Sequence, residues 1–167
     1  MLDLDAPILP GRGAAGIHLG DRLEDVLRAS AGLFTEARVG NACLCDPWST
    51  SVFRSASVDL SHRDGRVSQI TVHNGYRGRL HGAVGLGSTP AEIARAIGPW
   101  EEVDADVYGI ACLPGLAFGV AGWFVTAAHP GLRTAPIREI AVFAPDELGE
   151  PGGSSESGES GARDGAP

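Results

Sequence analysis

Val67-Ser68-Gln69-Ile70-Thr71-Val72 recurs as Ile137-Arg138-Glu139-Ile140-Ala141-Val142, with apolar residues at the same three positions and an offset of 70. The apolar spacing in both copies is that of a strand. Working outward, Ile17-His18-Leu19-Gly20, then Asp25-Val26 and Arg28-Ala29, matches Val84-Gly85-Leu86-Gly87, then Glu92-Ile93 and Arg95-Ala96, at offset 67. Gly40-x-Ala42-Cys43-Leu44 matches Gly109-x-Ala111-Cys112-Leu113 at offset 69. Three matches in one order, with an offset that drifts only as loop insertions would shift it, read as an internal duplication.

Each unit predicts a short helix followed by strands. Asp21-Arg22-Leu23-Glu24 has the form of a capping box, Leu23, Val26 and Leu27 follow at helical spacing, and Gly32 stands at the stop, so the first helix is expected over about 22–31. Thr89-Pro90-Ala91-Glu92 offers an N-cap, a proline at the first helical position and an acid three residues after the cap, which predicts a second helix over about 90–97. Alternation over Val52–Leu60 and Val67–Val72, with Asp64-Gly65 between, predicts an antiparallel hairpin. Val107–Leu113, Leu116–Val125 and Ile137–Phe143 are the corresponding strands of the second unit.

The fold class implied is α+β, a duplicated helix plus about three antiparallel strands with the helices packed on the sheet or sheets. The expected organisation is a first repeat unit at 1–79, a second at 80–148 and a tail at 149–167. That tail holds six glycines, four serines and no hydrophobe larger than alanine, a composition that predicts disorder.

Charge narrows the function classes. All 13 basic residues are arginine, so no lysine is present to form a Schiff base, anchor pyridoxal phosphate or complete a Walker-type phosphate loop. Residues 1–79 carry nine arginines and nine acids, whereas residues 80–148 carry three arginines and eight acids. The acidic balance argues against a nucleic-acid surface and for a basic partner if the partner is charged. No apolar run approaches a membrane span. The beginning, Met1-Leu2-Asp3-Leu4-Asp5, has acids where an export signal needs positive charge, and with three cysteines predicts a cytoplasmic protein with reduced thiols.

Familiar catalytic and cofactor motifs do not take shape. Gly11-Arg12-Gly13-Ala14-Ala15-Gly16 spells the dinucleotide-binding pattern, but Pro10 precedes it and strand-like Ile17-His18-Leu19 follows, so it reads as a flexible lead into the first strand. Cys43-x-Cys45 and Cys112 lack zinc-site spacing, and the equivalent repeat positions of Cys43 and Cys112 suit core packing. Neither a Gly-x-Ser-x-Gly elbow nor a His-Glu-x-x-His pair occurs. The reading is of a non-enzyme with no catalytic residue, no cofactor and no metal.

Two stretches remain as partner-binding candidates. Tyr76 and Arg77 lie in the connector His73-Asn74-Gly75-Tyr76-Arg77-Gly78-Arg79-Leu80-His81 and belong to residue types enriched in binding hot spots. Glu101, Glu102, Asp104 and Asp106 form an acidic run that reads as a solvated loop between helix and strand, or as a face for a basic protein.

The stretches Gln69–Gly78, Gly82–Ile93 and Pro136–Phe143 resemble small bacterial proteins, some of them similar to the immunity proteins of polymorphic toxin systems. In outline the repeat unit is also similar to β-lactamase inhibitor protein and to small lipoproteins of outer-membrane assembly, from which the chain departs in lacking an export signal or a lipid-bearing cysteine near its start. The resemblance implies binding and carries over no catalytic residue. The function expected is a cytoplasmic immunity or inhibitor protein that neutralises a toxin or enzyme. The alternative is a small-molecule-binding or regulatory domain, with a pocket between the repeats lined by His73, Tyr76 and Trp123.

Overall fold

The computed structural model describes residues 2–38, 51–104, 107–110, 112–120 and 134–145. Strands β1 (Gly13–Ala14) and β2 (Ile17–His18) form a small hairpin, followed by helix α1 (Leu23–Ala29) and strands β3 (Thr35–Arg38), β4 (Ser51–Arg54), β5 (Val58–Arg63) and β6 (Arg66–Val72). Helix α2 (Pro90–Ala96) then leads into β7 (Trp100–Asp104), β8 (Val107–Ile110), β9 (Leu116–Val120) and β10 (Ile137–Phe143). The last eight strands make one antiparallel sheet in the order β3-β4-β5-β6-β10-β9-β8-β7.

This overturns the α+β expectation. The molecule is mainly β, with four strands rather than three after each helix, in one continuous sheet that the two helices do not cover. A seven-residue helix spans only about 10 Å. Eight strands span about 34 Å across the sheet, so two such helices cannot cover it. They contribute Leu23 and Ile93 to the core. Among the described residues, further cover comes from the N-terminal segment and the connector after β6, through Ile8, Ala14, Ala15, Ile17, Tyr76, Leu80 and Val84.

The two matching segments lie side by side at the centre of the sheet. β6 and β10 pair with Val72 opposite Ile140 and Ile70 opposite Val142, a register symmetric about Thr71 and Ala141. Pairing continues outward from Val72 to Val58, from Ile70 to Leu60, from Ile140 to Phe118 and from Val142 to Leu116. All eight side chains are buried. Alternation places Asp59, Thr71, Ala141 and Ala117 in the intervening row, on the opposite face.

Local chemistry explains where elements start and stop. Asp64 and Gly65 hold φ of 51° and 71° in the two-residue turn joining β5 to β6, the conformation for which Asp-Gly is favoured. In α2 the Thr89 hydroxyl accepts from the Glu92 N–H, and the Glu92 carboxylate accepts from the Thr89 N–H at 2.8 Å. The capping box expected for α1 does not form. Asp21 instead accepts from the His18 N–H at 2.8 Å, and Arg22 is the N-cap with no side-chain cap. The run Val52–Leu60 is two strands, because the Ser55 hydroxyl accepts from the Val58 N–H and closes a turn. The glycine-rich stretch is the packed β1–β2 hairpin, with Ala14 and Ala15 buried, rather than a flexible lead.

The connector is tied to the N-terminus by main-chain bonds from Arg77 and Gly78 to the Leu4 carbonyl and from Ile8 to the Arg79 carbonyl. Tyr76 locks the junction: its hydroxyl donates to the Ala6 carbonyl and accepts from the Ala15 N–H at 3.3 Å. A Cβ at Gly78 would collide with the Ala6 carbonyl oxygen and with the Tyr76 phenol, so the close approach requires glycine.

Two substitutions test this account by thermal unfolding. Tyr76→Phe strips the Ala15 N–H of its partner and should cost about 1–3 kcal/mol, whereas an unchanged midpoint would remove the hydroxyl from its anchoring role. Thr89→Ala should cost about 1 kcal/mol, or about 3 °C for a chain of this size.

Candidate protein-binding site

The sequence-derived candidates separate in space and in character. Tyr76 is 4% exposed and belongs to the core. Burial pushes its phenol above the ordinary value, more than the Ala15 N–H lowers it. This side chain is an anchor between two segments, not an exposed contact.

Arg77 is exposed. Its guanidinium makes a two-pronged pair with Asp5, Nε to Oδ1 and Nη2 to Oδ2, both at 2.6 Å. The hydrogen bonds from Arg77 hold the Asp5 carboxyl below its usual value, and those to Asp5 hold the guanidinium above its own. A partner using Arg77 would compete with that carboxylate, which weakens the case for it as a free contact.

The acidic run takes a different form from the expected loop. Glu101, Glu102 and Asp104 lie on β7, the last strand of the sheet, and Asp106 lies outside the described residues. β7 pairs antiparallel with β8, Glu101 opposite Gly109 and Glu102 opposite Tyr108, with an irregularity before Asp104. A polar run is compatible with a strand at a sheet margin, where one edge needs no neighbour.

His73, proposed for a ligand pocket with Tyr76 and Trp123, sits elsewhere. Its Nε2 is 3.1 Å from Asp59 Oδ1, and the Arg54 Nε is 3.4 Å from Asp59 Oδ2. Asp59 alternates with Val58 and Leu60, whose side chains share the core with Tyr76, so His73 and Tyr76 are directed to opposite faces of the sheet. Trp123 lies outside the described residues. No local signal in the sequence marks the Arg54–Asp59–His73 cluster, because Arg54 meets Asp59 only through the β4–β5 register.

Cys112 is a free, exposed thiol in the turn between β8 and β9, which corrects its assignment to the core. Cys43, Cys45 and the 149–167 tail lie outside the described residues. Among the described residues no three His, Cys, Asp or Glu side chains are grouped to hold a metal ion, and no helix is long and apolar enough to cross a membrane.

No family model, curated protein or solved structure matches the chain. Ser51 Oγ lies 3.0 Å from His62 Nε2, and among the described residues the buried His62 Nδ1 has no hydrogen-bond partner.

The perturbed groups define a pH response. Asp5 and Glu92 lie below their ordinary values of 3.8 and 4.5, Asp5 through Arg77 and Glu92 through bonds from Thr89. Their contribution to stability is present above those ordinary values and lost as pH falls through the lower folded ones. Tyr76 is raised above 10.0, so its contribution is present below that value and lost as pH rises through the higher folded one. Urea midpoints should decline at both extremes. Asp5→Asn with Glu92→Gln should flatten the acid limb and Tyr76→Phe the alkaline limb; limbs that keep their shape would exclude these groups as the titrating ones.

Proposed function

We propose that the chain is a protein-binding module which neutralises a basic toxin or enzyme by occupying its surface, as an immunity or inhibitor protein does, in the cytoplasm. The observation that carries this reading is the acidic run on the margin of the sheet: three of the five residues of β7 are acids. Between Arg95 and Arg133 the sequence supplies no arginine against the four acids of 101–106, so the local charge is uncompensated along the chain. Such a patch speeds the encounter with a positively charged surface and rejects acidic ones, including nucleic acids.

The Arg54–Asp59–His73 cluster is a weaker candidate because Arg54 and Asp59 already compensate each other. The exposed Arg77 is likewise held by Asp5.

The test is affinity capture from host lysate with the chain and with the variant Glu101→Arg, Glu102→Arg, Asp104→Arg, Asp106→Arg side by side, followed by titration calorimetry on the purified pair. The expected result is one stoichiometric basic protein, inhibited on binding, whose affinity falls with salt and drops at least about tenfold with the reversed variant. The thermal midpoint of the variant should stay close to that of the parent. Unchanged affinity would remove the acidic run from the interface.

A further inference from the structure

Among the described residues the sheet ends at β3 and at β7, and these two margins differ. β3 carries one acid and one arginine, Glu36 and Arg38, whereas β7 carries three acids and no base. β7 pairs with β8 on its inner side, and among the described residues no strand pairs with its outer side. In an antiparallel ladder alternate residues turn both N–H and C=O to the same side. A five-residue edge therefore offers about two or three residues' worth of donors and acceptors to an incoming chain.

We infer that the outer edge of β7 accepts an extended, arginine- or lysine-bearing segment of the partner protein as a ninth strand, so that main-chain hydrogen bonds hold what the acids attract. The inference rests on the acidic-edge reading above and adds the mode of engagement. Charge selects the occupant. A second copy paired through β7 would set acids against acids: antiparallel about its centre, Glu102 faces Glu102, and in parallel register all three acids face themselves. Like charges directly opposite across a strand pair are unfavourable. Pairing β7 with the β3 of another copy gains one arginine but adds Glu36 to the same ladder. A basic strand from another protein meets neither penalty, and strand addition is an established mode of peptide recognition. The acids thus guard the edge against self-association while leaving it open to a complementary chain.

Two short synthetic peptides, titrated into the full chain at low and moderate salt, separate main-chain pairing from charge alone. One alternates arginine and valine; the other has the same sequence but is N-methylated at every residue, which keeps its charge and removes its main-chain donors. The expected result is at least about tenfold weaker binding of the methylated peptide, with slowed hydrogen exchange at amides within 100–104 only when the unmethylated peptide is present. Equal, salt-sensitive binding of both would overturn strand addition and leave the acidic-edge reading standing. Binding of neither would also overturn the inference, while the capture experiment separately decides whether a basic partner uses the acids. Self-association of the free chain with protection at the same amides would assign the edge to a second copy and overturn the proposal.

Discussion

The Tyr76 hydroxyl is the link on which the cover of the sheet depends. The apolar face built from Val58, Leu60, Ile70, Val72, Phe118, Ile140 and Val142 is far wider than the helices can shield. Irregular chain must therefore lie over it, and irregular chain brings backbone groups that need partners. The N-terminal segment and the connector meet that need by bonding to each other: Arg77 and Gly78 to Leu4, Ile8 to Arg79, and the phenol to Ala6 and Ala15 at once. The phenol suits this junction because its ring joins the core while its oxygen both donates and accepts.

Beneath that cover, the β6–β10 pair joins the two halves into one sheet. Both strands are central, each with a neighbour on its other side, so the halves share a buried row rather than abutting as separate units. The acidic second half begins at that seam, and its strands lead outward to β7 at the margin. The charge difference along the sequence thereby becomes a difference between opposite ends of the sheet, about 34 Å apart.

What was legible in the sequence was what local chemistry alone determines. Asp64-Gly65 can make only a few turns, Thr89 with Pro90 and Glu92 is a strong helix start, and the Ile70 and Ile140 patterns bury on one face wherever they pair. The unread features depend on tertiary neighbours. Asp21 resembles an N-cap until His18 claims its carboxylate. Val52 and Leu60 fit one alternating pattern in the sequence, but β4 and β5 pair Val52 with Ser61 and Phe53 with Leu60, so the Ser55 turn puts the two on opposite faces. Tyr76 was ambiguous because a tyrosine between glycines suits an exposed loop as well as a core plug, and only the approach of Ala6 and Ala15 decides it. β7 resembles a solvated loop in the sequence because an acidic edge strand does not display a buried alternating face.

An edge strand must discourage unwanted pairing, and a balanced set of charges such as Glu36 and Arg38 does so without selecting a partner. An edge bearing a single sign discourages acidic and self-complementary chains, and in the proposed reading the same residues would attract a basic one. The compensated clusters elsewhere, Arg77 with Asp5 and Arg54 with Asp59, show charge used to hold chain segments and cross-strand pairs in place. At β7 the three acids have no basic residue within the strand or directly opposite on β8, whose described residues are Val107, Tyr108, Gly109 and Ile110.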